Sequence, residues 1–218
     1  MIKLKIPFYP NLKDDLHCFQ ASLKMALSVL APSTQYSYAT LDSITGHKRG
    51  RVTWDIKTLL WLAEHGFYVK KVSILDYRAF TKLGARYLKY YWRPDVYEFQ
   101  KSFSDLHRER WRVEKLVKTK NVELINKRPT LAMLEKHLAS GWLAIIHIDV
   151  SRFDRTKKYS PHSIIITAIN SASVFFHDPG FPAEINRRVG RKRFSEVLSD
   201  GELILIRAFK RPYRAAVF

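Results

Sequence analysis

Residues 142–178, "WLAIIHIDVSRFDRTKKYSPHSIIITAINSASVFFHD", carry three β-rich runs, WLAIIHIDV, HSIIITAIN and SVFFHDP, the last ending at Pro179. Polar, turn-like segments part them, and alternating Ile, Val and Phe suit a half-buried pleated surface. A fourth run, ELILIRAF at 202–209, follows a short helical pattern, RKRFSEVLSDG at 191–201. Upstream the apolar spacing changes. Leu16, Phe19, Leu23, Ala26, Leu27 and Leu30 recur at helical intervals and predict a helix over 16–30, stopped by Ala31-Pro32-Ser33. TWDIKTLLWLAEHGF at 53–67 repeats the pattern, with Thr53 as N-cap and Gly66 as its stop; YVKKVSIL reads as a short strand. TLAMLEKHLASGW at 130–142 is an amphipathic helix closed by Gly141. Helices followed by mostly sequential strands predict an α+β fold with an antiparallel sheet, against which the helix of residues 16–30 packs.

Between the two halves, from Tyr77 to about Lys120, the chain turns aromatic and basic. Phe99, Phe103, Leu106, Val113 and Leu116 form a helical stripe, so residues 77–120 read as a helical insertion within a single domain spanning 1–218. A length of 218 residues with 46% hydrophobic side chains supports one core of that size.

Lys and Arg number 38 against 20 Asp and Glu, a formal net charge of +18. Such a field attracts nucleic acid, anionic lipid surfaces or acidic proteins. The basic residues are spread along the chain, and no zinc-finger spacing, aromatic RNA-binding signature or Gly-rich phosphate loop accompanies them. The aromatic and basic insertion fits a base-stacking surface and, equally, a helix that buries its rings and solvates its cations. No stretch approaches the roughly 18 apolar residues of a membrane span, and a single cysteine forms no internal disulfide, so a cytoplasmic, reducing setting is expected.

That cysteine, Cys18, stands where "DDLH" gives way to the apolar helix. A thiol at a helix N-terminus is favoured as thiolate, and Asp14 or Asp15 is expected to cap the helix; a packed core thiol is the plain alternative. His162 opens one strand and Asp178 ends the next, so an antiparallel pairing would make the imidazole and the carboxylate neighbours. A carboxylate on one ring nitrogen orients a histidine whose other nitrogen serves a nucleophile. His147, Asp149, His162, His177 and Asp178 were weighed as a metal set; His177 and Asp178 face opposite sides of their strand, and no metal or other cofactor is expected.

These residues carry a resemblance. Cys18 with Ala21, Ser22, Leu23 and Met25, then Gly141 to Ile146, Pro161 to Ile166, and His177 to Gly180, are similar in kind and order to the papain-like cysteine peptidases. Within them, the likeness is to the double-glycine-leader (bacteriocin-processing) peptidases and their stand-alone relatives. The resemblance implies a papain-like α+β fold, Cys18 as nucleophile, His162 as general base and acid, Asp178 as its orienter, and a peptide or protein substrate. Two positions depart from the family pattern: Phe19 follows the cysteine where glycine is usual, and Leu12 stands where an oxyanion-donating glutamine is expected. Asn11 is the nearest upstream amide and the candidate replacement donor. The alternative reading is a catalytically silent module that binds nucleic acid or an acidic partner through its basic surface.

Overall fold

The computed structural model describes residues 1–154, 159–209 and 216–217. Its first half runs β1 (Ile2–Lys3), α1 (Cys18–Leu30), α2 (Tyr38–Thr45), α3 (Ile56–Glu64) and β2 (Phe67–Ser73). Four helices follow: α4 (Tyr77–Leu83), α5 (Ala85–Tyr91), α6 (Pro94–Phe103) and α7 (Leu106–Leu116). The second half is β3 (Val122–Asn126), α8 (Leu131–Ala139), β4 (Leu143–Asp149), α9 (Ser151–Asp154), β5 (Pro161–Ile169), β6 (Ser173–Asp178), β7 (Glu184–Gly190), α10 (Arg191–Ser199), β8 (Glu202–Ala208) and β9 (Ala216–Val217).

The class is α+β, but the sheet is mixed rather than antiparallel. Its order is β3-β2-β8-β4-β5-β1-β9, with β6 on the free edge of β5 and β7 outside it. All pairings are antiparallel except β2 with β3. The exception has a physical cause: α4 to α7 form a crossover long enough to return the chain in the direction of β2, which a hairpin cannot do. This arrangement is compatible with a papain-like architecture.

Helix α1 lies on β5 and β4, and it can lie close because Ala21, Ser22 and Ala26 on its inner face are small. Leu23, Met25 and Leu27 are fully buried there, each worth about 1.5–3 kcal/mol of transfer energy. The Ser22 hydroxyl donates to the Ser163 carbonyl (3.2 Å), which fixes the start of α1 against the start of β5.

Local boundaries differ from expectation where side chains found better partners. Helix α3 begins at Ile56, not after Thr53, because the Thr53 hydroxyl bonds His47 Nδ1 instead (2.9 Å). The expected stripe from Phe99 to Leu116 is split between α6 and α7 by an extended Ser104, with Asp105 capping α7 by accepting the Arg108 N–H (3.0 Å). Val113 and Leu116 reach the core, while Phe103 is exposed. Among the described residues no helix is long and apolar enough to cross a membrane.

Candidate functional site

Strands β5 and β6 pair with Ile165 opposite His177, and a bulge between Ile166 and Ala168 adjusts the register. His162 at the start of β5 and Asp178 at the end of β6 therefore meet: His162 Nε2 donates to Asp178 Oδ1 at 2.6 Å. Both side chains are largely shielded, 10% and 6% exposed. Asp178 is further held by the Arg187 guanidinium on Oδ2 (2.8 Å) and by the Gly180 N–H on Oδ1 (3.1 Å). Gly180 is needed for space. A Cβ there would lie 3.0 Å from His162 Cε1 and 3.2 Å from Nε2, against the ring itself.

With Nε2 committed to Asp178, Nδ1 is the ring nitrogen that Asp178 leaves unengaged, and Cys18 stands half-buried at the start of α1. Burial pushes the Cys18 thiol up, but the hydrogen bond and charge of His162, with bonds from the Ser163 N–H and hydroxyl, hold it below its ordinary value. Burial opposes the charge on His162; Asp178 and the Cys18 sulfur override it and raise it to about 10. Asp178, also penalised by burial, is lowered to about 2 by His162, Arg187 and the Gly180 amide. The three shifts share a sense: each favours the charged form of its group.

Asp14 and Asp15 do not cap α1. The N-cap position is His17, without a side-chain cap bond, so no capping side chain occupies the amides of the first turn. Asp14 Oδ1 instead accepts from the Leu16 N–H (3.1 Å) and from His17 Nδ1 (2.9 Å). Asn11 is buried in the same loop. Its Oδ1 accepts the His17 N–H (2.8 Å), its Nδ2 donates to Asp15 Oδ1 (2.8 Å), and its backbone N–H donates to the Pro179 carbonyl (2.8 Å). Asn11 thus ties the loop before Cys18 to the turn after Asp178.

The other residues weighed as a metal set are dispersed into structural roles. Asp149 Oδ1 organises the segment after β4 by accepting the Ser151 hydroxyl (2.6 Å) and the Ser160 N–H (3.0 Å). His177 Nε2 donates to the Ile6 carbonyl (3.0 Å), and its Nδ1 accepts the Asn186 N–H (3.2 Å). His147 Nδ1 is hydrogen-bonded to the Ser163 hydroxyl (2.7 Å), with Nε2 3.4 Å from Asp55 Oδ2. Behind Asp55 lies Lys71, fully buried and paired with Asp55 and Glu202. Burial pushes the Asp55 carboxyl up and the Lys71 ammonium overrides it, holding it well below the usual carboxylate range.

Sequence reading quoted Ser163 and Gly180 within its motifs without assigning them a role, and it missed Arg187. Ser163 sits beside His162 as a hydroxyl in a mostly apolar strand. Arg187 belongs to β7, whose exposed, charged run EINRRVG has no core-facing alternation to reveal it.

No curated protein matches the chain. A family model described as Peptidase_C39 like matches residues 100–216, a span that contains His162, Asp178 and Gly180 but not Cys18 or α1. That span is more than half of the 218 residues, and the chain belongs to the Peptidase_C39 like family.

Proposed function

We propose that the protein is a papain-like thiol hydrolase that cleaves a peptide bond through Cys18, His162 and Asp178. The observation that carries this reading is the His162 ring, bonded to Asp178 through Nε2, whose charge favours the thiolate of Cys18. The thiolate attacks the substrate carbonyl carbon; the His162 imidazolium protonates the departing amine, leaving a thioester. His162 then takes a proton from water as its oxygen attacks the thioester, and the sulfur leaves as thiolate. The developing oxyanion is met by backbone N–H groups at the uncapped start of α1. Asn11 is positioned to contribute its second amide hydrogen only if the loop shifts, because the other is held by Asp15.

The helical segment 77–120 is proposed to border the groove. Its α6 reaches toward the β5 side, where Phe99 packs edge-on against Tyr159 (5.3 Å) and Arg93 lies 3.8 Å from Asp149. An open depression of about 450 Å³ is lined by Lys48, Arg51, Lys101, Ser104, Asp105 and Leu106, and its three cations would attract an acidic segment of a bound peptide. A double-glycine cleavage site is the finer expectation that the Cys18, His162 and Asp178 motifs support.

Iodoacetamide labelling tests the reading. At pH 6 native Cys18 should react faster than a model thiol, and His162→Ala should abolish the advantage. Equal rates in the two proteins would overturn it. Hydrolysis of Gly-Gly-containing peptides, with and without acidic neighbours, then identifies the substrate.

A further inference from the structure

The residue before Cys18 belongs to a second constellation that the proposed reaction does not use. His17 at the start of α1, Asp42 in α2 and His47 just beyond it place one potential ligand atom each within 4.8 Å of one another. Their placement follows from the chain. Gly46 closes α2 in the left-handed region (φ 68°), where the His47 N–H returns to the Asp42 carbonyl (3.0 Å) and carries its imidazole back over Asp42. The same glycine is favoured there because its φ of 68° is one that L side chains rarely adopt.

Both histidines are oriented from behind. Asp14 Oδ1 accepts from His17 Nδ1 (2.9 Å), and the Thr53 hydroxyl meets His47 Nδ1 (2.9 Å). With its Nδ1 bonded to Asp14, the His17 ring brings Nε2 to Asp42, 3.2 Å from Oδ1 and 3.4 Å from Oδ2, a contact in which a metal ion would displace the ring proton. The ligand atoms then face one another, as in metal sites whose histidines donate their far N–H to a second partner. The separation fits. His17 Nε2 lies 3.2 Å from Asp42 Oδ1. Tetrahedral ligands bound at about 2.0–2.1 Å stand about 3.3 Å apart.

A fourth donor is adjacent. Gln20 is fully buried, and its Oε1 is a buried oxygen without a hydrogen-bond partner. Exchanging the amide's oxygen and nitrogen turns that orphan toward the cluster. Asp42, with 34% of its side chain exposed, leaves an entry path from solvent.

We propose that His17, Asp42 and His47 form a binding site for a divalent transition-metal ion of the zinc type, with Gln20 Oε1 or water completing the tetrahedron. The bound ion ties the start of α1 to the turn after α2, one residue from Cys18. The site does not depend on the proposed peptidase chemistry, and its test excludes the thiol. Calorimetric titration of full-length Cys18→Ser protein with zinc chloride should give one saturable site and a rise in melting temperature with zinc. Asp42→Ala and His47→Ala in that background should each weaken binding at least about 100-fold and lose the zinc-dependent rise, while circular dichroism reports that they are folded. Thr53→Val should weaken binding about tenfold, as loss of an orienting partner does. Cobalt(II) added in place of zinc should give the visible bands of a tetrahedral ion, absent in His47→Ala. Absence of zinc binding in Cys18→Ser, or undiminished binding in folded Asp42→Ala and His47→Ala, would overturn the site.

Discussion

Two histidine–aspartate pairs flank the start of α1, and they are built differently. His162 and Asp178 come from neighbouring strands, 2.6 Å apart, with Asp178 6% exposed and both of its oxygens engaged. His17 and Asp42 come from a helix start and a different helix, 3.2 Å apart, and His17 is shared with Asp14. In the first pair the strand ladder sets the geometry and shields the charges, which strengthens their attraction. In the second, Asp42 is open to water and to competing donors. The same two residue types therefore sit in different settings: one pair is shielded with both carboxylate oxygens engaged, and the other has its carboxylate partly open to solvent.

The widest expected separation between the pairs is kinetic. Asp178→Asn should lower kcat for peptide hydrolysis by about 10³–10⁴-fold, since an orienting carboxylate fixes the tautomer and stabilises the imidazolium. Asp42→Asn should change it by no more than about fivefold, the equivalent of a partly exposed ion pair worth up to about 1 kcal/mol. Labelling against pH gives the sign. Asp178 raises His162 to about 10 and the imidazolium depresses the Cys18 thiol, so native protein should keep thiolate reactivity below the ordinary thiol range. Asp178→Asn should shift that reactivity upward, toward the ordinary value of about 8.5. Equal effects of the two substitutions would erase the distinction.

Beneath the strand pair, the next effect is on stability. Lys71 is fully buried between Asp55 and Glu202, and Asp55 approaches the His147 ring that is hydrogen-bonded to Ser163. Lys71→Ala leaves a buried carboxylate unpaired and should cost about 3–5 kcal/mol in urea unfolding. No such buried cation supports His17 and Asp42, and a loss below about 1 kcal/mol would show that water already reaches Asp55.

The contrast between the pairs also explains what the sequence could tell. Strands β4, β5, β6 and β8 were legible because Ile, Val, Leu and Phe crowd them and polar segments bound them, and two adjacent strands constrain which ends meet. His162 opposite Asp178 follows from that register. Strand β3, with VELIN only half-buried, and β7, with EINRRVG largely exposed, are held by pairing rather than by core contacts, so no apolar period marks them. The parallel β2–β3 pair was hidden for the same reason. His17, Asp42 and His47 are joined through a left-handed glycine and a loop, geometry without a periodic signature. The capping expectation at Asp14 or Asp15 failed because Asn11 Oδ1 takes the His17 N–H and leaves the acids to bind side chains and loop amides.

A smaller effect probes the space around the strand pair. Gly180→Ala places a methyl 3.0 Å from His162 Cε1 and 3.2 Å from Asp178 Oδ1. The ring must move by a few tenths of an ångström, at an overpacking cost of about 1–2 kcal/mol, so labelling of Cys18 should slow about tenfold. Gly201→Ala is the matching control for general overpacking, because its Cβ would meet the His147 carbonyl at 2.6 Å, away from the His162 ring. It should lower the melting temperature more than the labelling rate. Equal slowing in both variants would make the effect one of fold rather than of the His162–Asp178 geometry.

The smallest expected effect lies on the open side, where Lys48 and Lys101 line the basic depression with Arg51. Arg51 also donates to the Ser102 carbonyl and so helps to hold the wall (2.6 Å), which makes the two exposed lysines the cleaner probes. Replacing both by Glu reverses four units of charge where an acidic peptide would lie. Exposed charges act through screened, high-dielectric attraction, so each contributes a few tenths of a kcal/mol and the pair should raise KM for an acidic peptide about three- to tenfold. The turnover number should hold, because such attraction acts on bound substrate and transition state alike. Added salt should narrow the difference between native and variant protein, since the Debye length falls from about 10 Å at 0.1 M to about 3 Å at 1 M. A matched neutral peptide should show no change. An equal rise in KM for both peptides would mean that the wall of the depression had collapsed and that charge does not select the substrate there.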